Sequence, residues 1–238
     1  VTTNIVIASY LEPELVERIA TVGGDVVVHY RPDLLPVPRY LCDHTGPPRD
    51  LTPDLLDEWQ AIVSGAEVMF DFDWLEPSTL AARCPNLRWI QATSAGIGGY
   101  MQRTGLDQSV IAVTTAGGIH AVPLAEFSLM GALYFVKGLP QLNRWKDEHH
   151  WQRYTTRQLK GSRALVVGLG GMGRQIVRTL AGVGLEVIGL GRSGGRYDVE
   201  GLSSVIDRSR LDETLPSVDL LVLSSPLTSE TEGMIGAA

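Results

Sequence analysis

Residues 163–174 read Arg163-Ala-Leu-Val-Val-Gly168-Leu-Gly170-Gly-Met-Gly173-Arg174. The apolar, β-branched run up to Val167 fits a buried strand of a parallel sheet. The glycines then follow the spacing G-x-G-x-x-G, and Gln175 to Ala181 has the spacing of a helix. Geometry requires each glycine. Gly168 allows a tight turn, Gly170 lets the backbone approach a pyrophosphate, and Gly173 lets the helix pack on the strand. The helix start offers unpaired N–H groups and a positive dipole end to phosphates. A glycine turn alone carries little weight. Here it lies between a strand and a helix, with Glu186-Val-Ile-Gly-Leu190 as the next strand, and that context marks a dinucleotide-binding unit.

The end of that next strand bears on which dinucleotide binds. A site for NAD places an Asp or Glu there, about 20 residues after the glycines, on the ribose 2′-hydroxyl. This chain has Gly191-Arg192-Ser193 instead. A guanidinium and a hydroxyl suit a 2′-phosphate, by charge and by hydrogen bonding, and Arg196 adds a second cation nearby. The residues favour NADP(H) and leave NAD(H) open.

Outward from this unit the chain keeps alternating. Asn4 to Ala8 reads as a strand, Pro13 to Thr21 as a helix and Asp25 to Tyr30 as a strand, the start of an α/β sheet. Residues 31–53 hold six prolines and read as a long surface loop. Asp54 to Ala61 is expected to be a helix. Ala66 to Phe70 and Leu87 to Gln91 are expected strands, with a helix over Pro77 to Arg83 between them. Ile111 to Thr115 follows as a strand. Pro123 to Gly138 is a helix that is apolar on most faces, so burial between domains or subunits is expected. Leu139 to Trp151 continues as a more polar helix. Leu211 to Leu215 and Asp219 to Leu223 read as a short helix and a strand. The expected fold is α/β with two doubly wound domains. Residues 1–97 form a flavodoxin-like domain and 98–238 a Rossmann NAD(P)-binding domain.

Composition narrows the function. With 20 Lys+Arg against 27 Asp+Glu, the net charge is −7, and a chain with no basic run is a poor ligand for nucleic acid. No stretch reaches the ~18 apolar residues of a membrane span. Val1 to Tyr10 lacks the charged start and apolar core of a signal peptide. A cytoplasmic protein is expected. Cys42 and Cys84 form no CxxC pair and no His cluster, so reduced thiols are expected rather than a metal or a disulfide.

Four segments, in order, resemble the D-isomer-specific 2-hydroxyacid dehydrogenase family. They are Leu87-Arg-Trp-Ile-Gln-Ala-Thr-Ser-Ala-Gly-Ile97, Val113-Thr-Thr-Ala-Gly-Gly-Ile-His-Ala-Val-Pro-Leu-Ala-Glu126, Leu159 to Arg174, and Pro226-Leu-Thr-Ser-Glu-Thr-Glu-Gly-Met-Ile235. Before Leu87 only the alternation agrees. The resemblance implies two similar α/β domains, of which residues 1–97 are the substrate domain, a nicotinamide cofactor, and exchange of hydride between NADP(H) and a 2-keto or D-2-hydroxy acid. It implies that the backbone of Ala95, Gly96 and Ile97 holds the substrate carboxylate, that Gly171 and Met172 line the pyrophosphate, and that Ser225 and Pro226 lie near the cofactor ribose. The family often has an acid after the substrate loop, where this chain has Gly98. The family's catalytic Arg, Glu and His lie after the Pro226 segment, and are expected beyond Ala238. In the family the long apolar helix helps form a homodimer, which is expected here too. A second reading is a nucleotide-binding regulatory or interaction protein of the same fold without catalysis; a third is a truncated, non-functional product.

Other polar residues read as structural. His120 lies far upstream of the family's catalytic histidine. His149 and His150 are adjacent, so they point to different faces of a helix and do not make a metal pair. Glu126 is expected to pack or cap. Arg144 and Trp151 suit a cleft or subunit contact, or a solvated helix face.

Overall fold

The computed structural model describes residues 2–192 and 194–236. The chain forms two units, Val1–Ala116 and Gly117–Ala238. In the first, strands alternate with helices: β1 (Thr3–Ile7), α1 (Pro13–Ala20), β2 (Val26–His29), α2 (Pro53–Ser64), β3 (Val68–Phe70), α3 (Leu80–Arg83), β4 (Trp89–Gln91), α4 (Gly98–Thr104) and β5 (Ala112–Thr114). Pro13 and Pro53 open α1 and α2, where a missing N–H costs nothing. All strand pairs are parallel, in the order β2-β1-β3-β4-β5. This is the flavodoxin-like order, with its switch point between β1 and β3.

The proline-rich segment 31–52 has no helix or strand, as expected, but it is more than a surface loop. Leu34 and Leu35 are fully buried and join Trp59, Met69 and Ile90 in the first core. Arg39 pins the segment through Asp43, which accepts its backbone N–H at 3.0 Å and its Nε–H at 2.7 Å. These bonds hold the Asp43 carboxyl well below the usual carboxylate range.

The expected boundary at 97/98 falls instead at 116/117. Residues 98–116 complete the first sheet. β5 pairs with β4 through Trp89↔Ala112, Ile90↔Val113 and Gln91↔Thr114, and Leu106 and Ile111 are buried in the first core.

The second unit holds α5 (Ala121–Val136), α6 (Leu139–Asp147), β6 (Arg163–Val167), α7 (Gly171–Gly182), β7 (Glu186–Leu190), β8 (Leu202–Ile206), α8 (Leu211–Thr214) and β9 (Leu220–Leu223). Its sheet is parallel, ordered β8-β7-β6-β9. Successive residues of a strand face opposite sides. Ala164 and Val166 of β6 therefore share a core with Ile176, Val177 and Leu180 of α7. Leu165 and Val167 share another with Leu211 of α8.

Within this chain α5 is buried on one face only. Its buried residues are Ala121, Ala125 and Ala132, a small-residue face packed on α7. Phe127, Met130 and Phe135 are exposed. Among the described residues no single helix is long and apolar enough to cross a membrane.

Candidate functional site

The glycine turn of the second unit begins where β6 ends. Gly168 adopts φ +93°, a left-handed conformation that side chains disfavour. Its N–H donates to Leu190 O at 2.9 Å, tying the turn to the end of β7. Gly173 sits inside the turn. A Cβ there would overlap Gly168 O and lie 2.9 Å from Ser224 Oγ. Ser224, at the end of β9, clamps the turn by donating its hydroxyl to Val167 O at 3.0 Å and Gly168 O at 2.9 Å, a three-centre bond. A Cβ on Gly168 would lie 2.7 Å from Ser225 N, so the Ser225 backbone abuts the turn.

These contacts leave one side of the turn open. A Cβ on Gly170 would meet nothing within 4 Å. Gly170 is the extended residue before α7, and the helix start has no side-chain cap and no acid in its first turn. The first regular helix bond is Arg174 N–H to Gly170 O at 2.9 Å, so the Gly171, Met172 and Gly173 N–H groups lack helical partners. An uncapped positive helix end beside open space fits a pyrophosphate.

The structure thus brings Gly168, Gly170, Gly171, Met172, Gly173 and Ser225 to one end of the sheet. Of Met172 only the backbone faces the turn's chemistry, because its side chain packs on the second core. Pro226 is exposed just beyond, its carbonyl accepting the Thr231 hydroxyl at 2.6 Å. Arg192 is exposed after β7, and its guanidinium forms no ion pair with the described residues. Ser193 lies outside the described residues. Sequence reasoning missed Ser224 and also Arg174, whose Nε–H donates to Leu169 O at 3.1 Å and whose Nη1–H donates to Asp198 O at 3.4 Å. Arg174 thereby joins the turn to the loop after β7. A cavity of about 630 Å³ in this unit is a mainly apolar groove lined by residues of α5 and β9, and phosphates do not suit such walls.

In the first unit, Ala95-Gly96-Ile97 follows β4. Gly96 is exposed, with nothing within 4 Å of an added Cβ. The loop borders a cleft of about 330 Å³ whose walls include His44, Asp71, Asp73, Ser94 and Tyr100. Asp71 follows β3, beside the switch point where open parallel sheets bind ligands. It holds φ +66° and accepts the Thr93 hydroxyl at 2.9 Å. Asp73 is buried, accepting Trp59 Nε1–H at 2.9 Å, two backbone N–H groups and an Arg83 guanidinium. Burial, with Asp71 and Asp73 adding, pushes the Tyr100 phenol well up, so it keeps its proton. His44 shares a hydrogen bond of 3.2 Å with Ser9. The Asp71-Phe-Asp73 run was readable in principle, since carboxylates directly after a parallel strand lie at the binding end of a sheet.

Among the described residues no cluster of His, Cys, Asp or Glu could hold a metal. His120 is exposed at the start of α5 and caps nothing. Glu126 is exposed within α5. Among the described residues the Arg144 side chain bonds only Gln141 of its own helix.

Comparison with known proteins agrees with this geometry. Residues 129–238 match a family model described as the D-isomer specific 2-hydroxyacid dehydrogenase, NAD binding domain. A D-lactate dehydrogenase of Treponema pallidum (strain Nichols) is 25% identical over 154 residues, 63% of this chain and 45% of that protein. A D-isomer specific 2-hydroxyacid dehydrogenase family protein from Aeromonas salmonicida subsp. salmonicida A449 superposes with a TM-score of 0.71 at 21% identity, over 96% of this chain and 66% of that one. An NADPH-dependent glyoxylate/hydroxypyruvate reductase from Sinorhizobium meliloti, solved with NADP and sulfate, superposes with a TM-score of 0.66 at 21% identity, over 96% and 64%. At such identity the superpositions establish the fold. The chain spans just under two thirds of the length of these solved structures and under half of the curated relative. Residues 129–238, a little under half of the chain, thus match the NAD-binding domain of the D-isomer specific 2-hydroxyacid dehydrogenases.

Proposed function

We propose that this chain serves an oxidoreductase that interconverts a 2-keto acid and a D-2-hydroxy acid using NADP(H). The observation that carries the cofactor choice is the end of β7, where Gly191 stands in place of an acid and the exposed Arg192 follows. Bound NADP(H) supplies or accepts the hydride. The chain's residues bind and orient. The uncapped start of α7 neutralises the pyrophosphate, and Gly170 gives it room. Ser225 and Pro226 border the cofactor ribose. Arg192 and Ser193 take the 2′-phosphate, a pairing that an arginine makes by charge and by fork geometry. The backbone of Ala95-Gly96-Ile97 takes the substrate carboxylate.

The net charge of −7 supports small-molecule ligands over nucleic acid or membrane. Two free cysteines support a cytoplasmic location. The exposed apolar face of α5 supports a homodimer.

Fluorescence titration of the chain with NADPH and NADH tests the cofactor reading, followed by glyoxylate and hydroxypyruvate to look for turnover. NADPH should bind tighter. Arg192→Ala should remove roughly ten- to a hundredfold of NADPH affinity, the range of a charged hydrogen-bonded pair, and leave NADH nearly unchanged. Equal binding of the two cofactors by the unmodified chain would sink the NADP(H) assignment.

A further inference from the structure

The loop after β7 is built around Tyr197. Gly191 is buried, and its N–H donates to Ile206 O at 3.2 Å. A Cβ on Gly191 would overlap the Tyr197 ring, 2.6 Å from Cζ and 2.9 Å from Oη. Gly195 meets the same ring, with a Cβ 2.6 Å from Oη and 2.8 Å from Cζ. The phenol thus lies in a slot between two glycine backbones, and its ring packs on the second core. Its oxygen accepts the Arg192 N–H at 2.7 Å. Gly195 N–H donates to Arg192 O at 3.0 Å. Both polar backbone groups of Arg192 are therefore held by this one small loop, which leaves its guanidinium as the exposed part.

Two physical consequences follow. The ring fills the volume that an acidic side chain at position 191 would need, and that acid is what binds an unphosphorylated ribose. A phenol that accepts one hydrogen bond also has its own O–H to donate. Among the described residues no acceptor takes that proton.

We propose that Tyr197 is a specificity-determining residue for the 2′-phosphate of NADP(H). Its ring bars an acid from position 191, and its hydroxyl donates to the phosphate beside Arg192. The proposal rests on the NADP(H) reading above and adds to it a residue that neither the glycine motif nor the Arg192-Ser193 pair contains.

The test compares dissociation constants for NADPH and NADH across the unmodified chain, Arg192→Ala, Tyr197→Phe and the double variant Gly191→Asp with Tyr197→Ala. Tyr197→Phe keeps the ring and removes the hydroxyl. It should weaken NADPH about tenfold and hold NADH within about twofold, the effect of one lost charge-assisted bond. The double variant makes room for an acid and should reverse the preference toward NADH. If the unmodified chain prefers NADPH, Arg192→Ala abolishes that preference and Tyr197→Phe keeps it, the Tyr197 proposal falls while the NADP(H) reading stands. Lower thermal stability of Tyr197→Phe with an unchanged cofactor ratio counts against it equally. No preference in the unmodified chain overturns both.

Discussion

Cys42 and Cys84 carry the same thiol in opposite surroundings. Cys84 is 2% exposed, and its S–H points to Val63 O at 3.2 Å. Burial pushes this thiol up, so little thiolate forms at neutral pH. Cys42 is exposed on the proline-rich segment. A disulfide-exchange reagent at mild alkaline pH should label one cysteine quickly and the second only after unfolding. Cys42→Ser should erase the fast phase; a fast phase that survives it would place reactivity at Cys84 instead. Residue-level legibility followed the same division between local and tertiary causes. Gly168 and Gly173 were readable because a fixed spacing sets a fixed turn. Gly191 was readable only as a missing acid. The physical reason for that glycine is the Tyr197 ring, six residues on, and contact across a loop leaves no spacing to read. Asp71 was not singled out, although its place after a strand offered a signal, whereas the Arg83 partner of Asp73 comes from a different element.

At the scale of elements, the glycine turn makes the sharpest demand. A Cβ on Gly173 would sit within 2.9 Å of both Gly168 C and Ser224 Oγ, so overpacking there should cost about 1–3 kcal/mol. Gly182, at the other end of the same helix, would meet nothing within 4 Å. Its change to Ala should be neutral or stabilising by about 0.5–1 kcal/mol. Thermal unfolding of Gly173→Ala and Gly182→Ala, each followed by an NADPH titration, separates the two. Gly173→Ala should lose stability and cofactor together, and equal stability of the two variants would refute the packing argument. Elements with a strong apolar period were legible: Glu186–Leu190 was read with its observed bounds. β8 was not, because Leu202-Ser-Ser-Val-Ile206 is an edge strand with three exposed central residues. α4 is a seven-residue helix opening on two glycines, which propensity argues against.

For the whole molecule, the parallel order of both sheets follows from alternation of strands and helices, and that much was plain in the sequence. The unit boundary was not. β5 is three residues long, and only its pairing with β4 assigns it to the first sheet. Assembly of copies belongs to this scale as well. Phe127 is 64% exposed and Phe135 73% exposed on α5, a concentration of aromatic surface that single soluble chains avoid. Sedimentation at micromolar concentration should find a dimer. Phe127→Asp should weaken it at least about tenfold, as loss of an aromatic anchor does. A monomeric unmodified chain would remove the homodimer from the reading.

Each unit is continuous in the chain, and that has a consequence during synthesis. The whole first sheet has left the ribosome before the first strand of the second is made, so it can close while translation proceeds. The second sheet is less fortunate. β6 pairs with β7 on one side, but on the other it waits for β9, with Leu165 finding Leu221. At cellular elongation rates the gap between them takes roughly three to ten seconds to translate. For that interval the central strand of the cofactor sheet has a bare edge, and the nascent chain is then the form that holding chaperones would meet.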